Sequence, residues 1–147
     1  MTTPKIIVHS NIILSYVLHR QRQPSLFRIL MAKFFCYTTV FDAIELFSLA
    51  YTVRERRCIE DALSAIKILG LNARLAKNHG AWFAQAQSVS VFNRLIAGIC
   101  IESKLPLITD QPQAFGRIKK LRVIHSSVVD DTMTATKILS HARFASK

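Results

Sequence analysis

Polar side chains that interrupt apolar runs are the places in this chain where chemistry could reside. His9, Ser10 and Asn11 follow the β-branched run Lys5-Ile6-Ile7-Val8, and Thr109, Asp110 and Gln111 close the run Leu107-Ile108. Glu45 is the one charge in 43–53, a stretch that carries Ile44, Leu46, Phe47, Leu49 and Tyr51. A carboxylate in such company is costly to desolvate unless it faces a crevice, a cation or a hydrogen-bond donor. Asn93 precedes the apolar stretch 95–101. In an open α/β sheet the carboxyl ends of the strands face the crevice where ligands bind. Polar residues arriving there from four separate places are distributed as a site is, not as a surface is.

The elements that must position these residues can be read in outline. Lys5-Ile6-Ile7-Val8 lacks helical periodicity and reads as a buried strand. Ser10 is placed to cap a helix through Ile12, Ile13, Tyr16 and Val17 that ends near 20–23, before Pro24. A helix over 25–33 buries Leu26, Ile29 and Leu30, and Tyr37-Thr38-Thr39-Val40 is the next strand. Thr39 and Asp42 have capping-box spacing, so Asp42 is read as a helix cap and not as a ligand. Helices are expected over 43–53, 54–69 with Gly70 as its stop, 73–87 capped by Asn72, and 91–104 capped by Ser88 or Ser90. Leu107-Ile108-Thr109 is a short buried strand, 112–117 a helical turn, and Leu121-Arg122-Val123-Ile124 the last strand. Strands spaced this far apart need crossover connections, which predicts an α/β fold with a mostly parallel central sheet flanked by helices. One domain is expected over 1–125, followed by a partly helical C-terminal tail, 126–147, with a weak apolar face of Ile138, Leu139 and Ala142.

Composition narrows the function classes. With 147 residues the chain suits one domain with a genuine core. No apolar run reaches the length a membrane span requires and the first residues lack a signal-peptide pattern, so the expected location is the cytoplasm. Cys36, Cys58 and Cys100 are an odd set without metal-ligand spacing, which argues against both a disulfide framework and a zinc site. The 20 basic and 9 acidic residues give a formal charge of +11, which favours an acidic partner such as nucleic acid or an acidic protein segment.

Four short motifs in fitting order then carry a resemblance: His9-Ser10-Asn11, Glu45-Leu46, Asn93-Arg94-Leu95-Ile96-Ala97, and Leu107-Ile108-Thr109-Asp110-Gln111 with Phe115. The chain resembles the PIN domain of VapC-like toxins, small metal-dependent ribonucleases of toxin–antitoxin pairs. The resemblance covers nearly the whole chain and implies a three-layer PIN-like fold, a Mg²⁺ or Mn²⁺ cofactor, RNA as substrate, a cognate antitoxin and a homodimer. In that family the first motif usually reads Asp-Thr-Asn, the third begins with Asp, and the last position is Asn or Asp. Here they are His9, Asn93 and Gln111, so Glu45 alone stands unchanged, while Asp110 is one residue out of register.

Hard divalent cations require anionic oxygen ligands. Losing two carboxylates removes about two charges that an amide or imidazole hardly replaces. The resemblance therefore implies impaired catalysis. If a site persists, Glu45, Asp110 and His9 are its expected metal ligands, with Asn93 beside them as a catalytic position. Ser10, Asn11, Thr109 and Gln111 are expected to position phosphate or water, and Arg94, Arg117, Lys119 and Lys120 to hold the RNA backbone. The alternative is a non-catalytic module that binds RNA or an antitoxin. Trp82, Phe34 and Phe35 are read as core, and the remaining histidines as incidental.

Overall fold

The structure, a computed structural model, describes residues 2–18 and 25–145. Its sheet is built from β1 (Lys5–Val8), β2 (Phe35–Thr39), β3 (Lys67–Leu69), β4 (Leu107–Thr109), β5 (Arg122–His125) and β6 (Arg143–Phe144), in the order β3-β2-β1-β4-β5-β6. Every pair is parallel except β5 with β6. The helices are α1 (Ser10–Leu18), α2 (Leu26–Lys33), α3 (Val40–Ser48), α4 (Val53–Ser64), α5 (Ala76–Gln85), α6 (Val91–Ser103) and α7 (Ala135–Leu139). No helix among the described residues is long and apolar enough to cross a membrane.

Strand residues alternate between two cores because successive side chains point to opposite faces. Ile6, Val8, Ile108 and Ile124 join Ile12, Ile13, Phe27, Leu30, Leu46, Ile59 and Ile138 on one face. Ile7, Leu107 and Val123 join Ile96, Ala97, Cys100, Phe115, Ile118 and Leu121 on the other. Burial on both faces explains why β1 and β4 read as continuous apolar runs. It also makes the architecture three-layered, as the resemblance implied.

Several local expectations are corrected. The helix expected over 54–69 stops at Ser64, and Lys67–Leu69 forms β3. Its register with β2, Tyr37↔Lys67 through Thr39↔Leu69, gives the backbone a ladder that helical periodicity does not reveal. Gly70 therefore follows a strand, not a helix. The stretch 43–53 is divided between α3 and α4, because Thr52 accepts from the Glu55 amide and Glu55 reaches back to the Thr52 amide in a second capping box. Val40 begins α3 instead of ending β2. Ser10 lies inside the first turn of α1, whose expected end near 20–23 falls outside the described residues. In the segment beyond 125, α7 places Ile138 in the core and β6 pairs with β5.

Candidate functional site

The order of the strands reverses between β1 and β4, because β1 continues to β2 on one side and β4 to β5 on the other. The crevice past the carboxyl ends of two such strands is where an open parallel sheet places a ligand. His9 follows β1 and Thr109 ends β4, and both are buried. The Nδ1 atom of His9 lies 2.8 Å from the Thr109 hydroxyl oxygen.

The Thr109 oxygen accepts from the Gln111 amide at 3.1 Å and from Asn11 Nδ2 at 3.4 Å. The hydroxyl and the imidazole thus share one hydrogen bond, in which either group can be the donor. The other ring nitrogen is Nε2. That atom faces Asp42 Oδ1 at 3.8 Å, and it is buried without a hydrogen-bond partner among the described residues. Phe115 closes the ring's flank in an edge-on contact, 5.2 Å between centroids.

Asp42 is fully buried, and its carboxylate is heavily committed. Oδ1 accepts from the Ser10 amide at 2.8 Å, while Oδ2 accepts from the Thr39 hydroxyl at 2.7 Å and the Thr39 amide at 3.3 Å. The capping box read from the sequence is thus present. What sequence reasoning missed is that the same carboxylate reaches across to the start of α1 and to His9. Its depth in the fold shows in Cys100, whose thiol is pushed well up, first by burial and then by the Asp42 charge.

The other expected site residues spread outward. Glu45 lies three residues after Asp42 on α3, hence on the same face one turn on, and is half-buried. Asn93 sits in the first turn of α6, where its amide nitrogen donates to the Ala114 carbonyl at 3.4 Å. Asp110 is exposed and accepts from the Ser126 hydroxyl, at the rim of a cavity of about 330 Å³ against Ile12, Tyr16, Phe27 and Val129. Gln111 is exposed beside it. Among the described residues no three His, Cys, Asp or Glu side chains come together as a group that could hold a metal ion.

The expected RNA-contacting residues also divide. Arg94 stacks on Phe83, 3.9 Å from the guanidinium carbon to the ring centroid, and its Nη1 donates to the Phe83 carbonyl at 3.1 Å. It ties α6 to α5. Arg117, Lys119 and Lys120 are exposed, but they lie on the loop that enters the amino end of β5, and the latter two are nearest the end of the sheet opposite His9.

The sheet order and the layered helices, with a buried polar cluster at the strand reversal, make a PIN-like α/β fold. No protein-family model matches the sequence, and no curated protein matches it. Solved structures do match the fold. A chain of the VapBC2 complex from Rickettsia felis, bound to a DNA fragment from its promoter, superposes with a TM-score of 0.70 at 15% identity, covering 82% of this chain and 98% of that one. A chain of DNA-bound VapBC from Salmonella typhimurium gives 0.70 at 17% identity over 84% and 98%. One from VapBC-1 of nontypeable Haemophilus influenzae gives 0.68 at 18% over 84% and 98%.

Proposed function

We propose that this chain is a VapC-like PIN protein with impaired divalent-metal nuclease chemistry, which acts by holding RNA and an antitoxin-like partner. The observation that carries this reading is the imidazole of His9, held between Thr109 and Asp42 where the strand order reverses. Mg²⁺ and Mn²⁺ are held by several hard oxygens with free lone pairs. Here Nδ1 is engaged with the Thr109 hydroxyl, and Asp42 already accepts three hydrogen bonds. Asp110 is engaged by Ser126. This donor set does not fit a hard dication, and no hydrolytic step is routed through one.

A protein partner is supported by a second observation. Ile44, Phe47, Leu49, Tyr51 and Val53, on α3 and its junction with α4, are all exposed, Tyr51 to 85%. Apolar groups clustered this way on one surface usually mark a protein contact. An antitoxin is the occupant the fold's VapBC likeness suggests, and a second copy of the chain is the other candidate.

The test is thermal unfolding and RNA cleavage measured with Mn²⁺ and with EDTA. The wild-type midpoint should be the same in both, and RNA should remain intact. In His9→Asp, a carboxylate faces Asp42 across a buried gap, so the midpoint should fall in EDTA and rise with Mn²⁺. Metal-dependent cleavage by wild type that disappears in Glu45→Gln would overturn the proposal.

A further inference from the structure

A second surface lies at the other end of the sheet. Lys5 opens β1, Lys104 caps the end of α6 just before β4, Arg122 opens β5, and Lys119 and Lys120 lead into it. The registers Ile7↔Leu107 and Leu107↔Val123 bring these amino ends level, and Arg122 Nη2 donates to the Lys104 carbonyl at 3.1 Å. The four lysines are exposed and Arg122 is half-buried. From Lys5 to His9 the chain advances about 13 Å at about 3.3 Å per residue, so this pole is separate from the crevice.

Two features show that the lysines are not incidental. Lys104 and Lys120 are the non-glycine residues with positive φ among those described, at 59° and 67°. Glycine adopts that conformation without the clash a Cβ introduces, and it is the usual residue just past a helix end. Strain retained at two neighbouring turns, each time by a cation, points to a use for the charge. An aromatic ring stands at each end of the row, on opposite faces of the sheet: Phe35, paired in register with Lys5 and lying against Tyr37 and Lys67, and Phe144, paired with Arg122, 41% and 61% exposed.

We infer that this pole binds single-stranded nucleic acid, with Lys5, Lys104, Lys119, Lys120 and Arg122 along the phosphates and the two phenylalanines offering faces to bases. A basic row with an exposed ring at each end suits a single strand, which offers both phosphates and unpaired bases. An acidic protein segment would suit the cations but leave the rings unexplained. The partner class rests on the RNA-holding reading above, whereas the location does not.

The experiment measures the affinity of a fluorescein-labelled single-stranded RNA of mixed sequence by anisotropy across a salt series, with single-stranded DNA as a parallel arm. The variant combines Lys104→Gly with Lys120→Gly, substitutions that relieve the backbone and should keep or raise the thermal midpoint. Affinity should drop on the order of tenfold, and the log–log salt slope should shrink by about 1.4, two contacts at about 0.7 each. Phe35→Ala with Phe144→Ala should weaken binding with the slope unchanged. A control, Arg74→Gln with Lys77→Gln, removes two exposed cations elsewhere and should lose less. Wild-type slope and affinity in the glycine variant would overturn this inference alone, as would equal loss in the control or displacement of RNA by polyglutamate at equal charge. Failure of the wild type to bind any single strand would overturn both this inference and the RNA-holding reading.

Discussion

The hydroxyl of Thr109 is hydrogen-bonded to Nδ1 of His9 across 2.8 Å, joining residues 100 positions apart at the strand reversal. The bond sits in a fully buried setting on the Thr109 side, and three groups depend on that one oxygen: the imidazole, the Gln111 amide and the Asn11 side chain.

Thr109→Val keeps the shape and deletes the hydroxyl, leaving those groups without their partner. Urea unfolding should show a loss of about 2–3 kcal/mol. Thr109→Ser keeps the hydroxyl and gives up one methyl, and should cost about 1 kcal/mol. Equal losses in the two variants would mean that the oxygen holds nothing.

Cysteine chemistry follows burial. Desolvation pushes the Cys36 thiol up to about 12, and Cys100 is raised in the same sense. Both should resist alkylation near neutral pH in the folded protein, where half-buried Cys58 reacts first, and mass mapping of the modified peptides checks the order. The linkage has a definite sign. A thiol whose folded value is raised contributes stability below its unfolded value, and that contribution is lost as pH rises from 9.0 towards about 12. Cys36→Ala should therefore flatten the alkaline decline seen in urea unfolding at a series of pH values.

Helix α6 meets α5 at a point where a side chain has no room. A Cβ on Gly98 would lie 2.5 Å from Nδ1 of His79, whose ring is held edge-on to Trp82. Gly98→Ala should destabilise by about 1–3 kcal/mol by forcing the imidazole aside. In a His79→Ala background the same change should be neutral, or stabilising by up to about 1 kcal/mol as the helix gains from alanine. A double-mutant cycle in urea measures the coupling, and additivity would contradict the contact.

The parts legible from sequence were those set by short-range rules. Thr39 with Asp42 could be read as a cap because a capping box spans three residues, and Ser90 caps α6 as one of the two serines expected there, whereas Asn72 caps a 3-10 turn, Ala73–Leu75, and α5 begins after it at Ala76. The second box, Thr52 with Glu55, carried the same signal and was missed, which is why the α3–α4 junction was read as helix throughout. Strand β3 was beyond local reading. Ile66 to Leu69 suits helix or strand alike, and the choice was made by the unpaired edge of β2.

By itself the sequence determined that apolar runs separated by helices must form a layered, mostly parallel sheet, and that polar residues without a carboxylate, His9, Asn93 and Gln111, interrupt or flank those runs. Those are matters of residue type and spacing. Only the tertiary structure decided that Asp42 turns its carboxylate on His9 while Asp110 turns to Ser126, and that Lys104 and Arg122 share a pole away from the crevice. Such pairings depend on strand order and register, through which residues remote along the chain become neighbours.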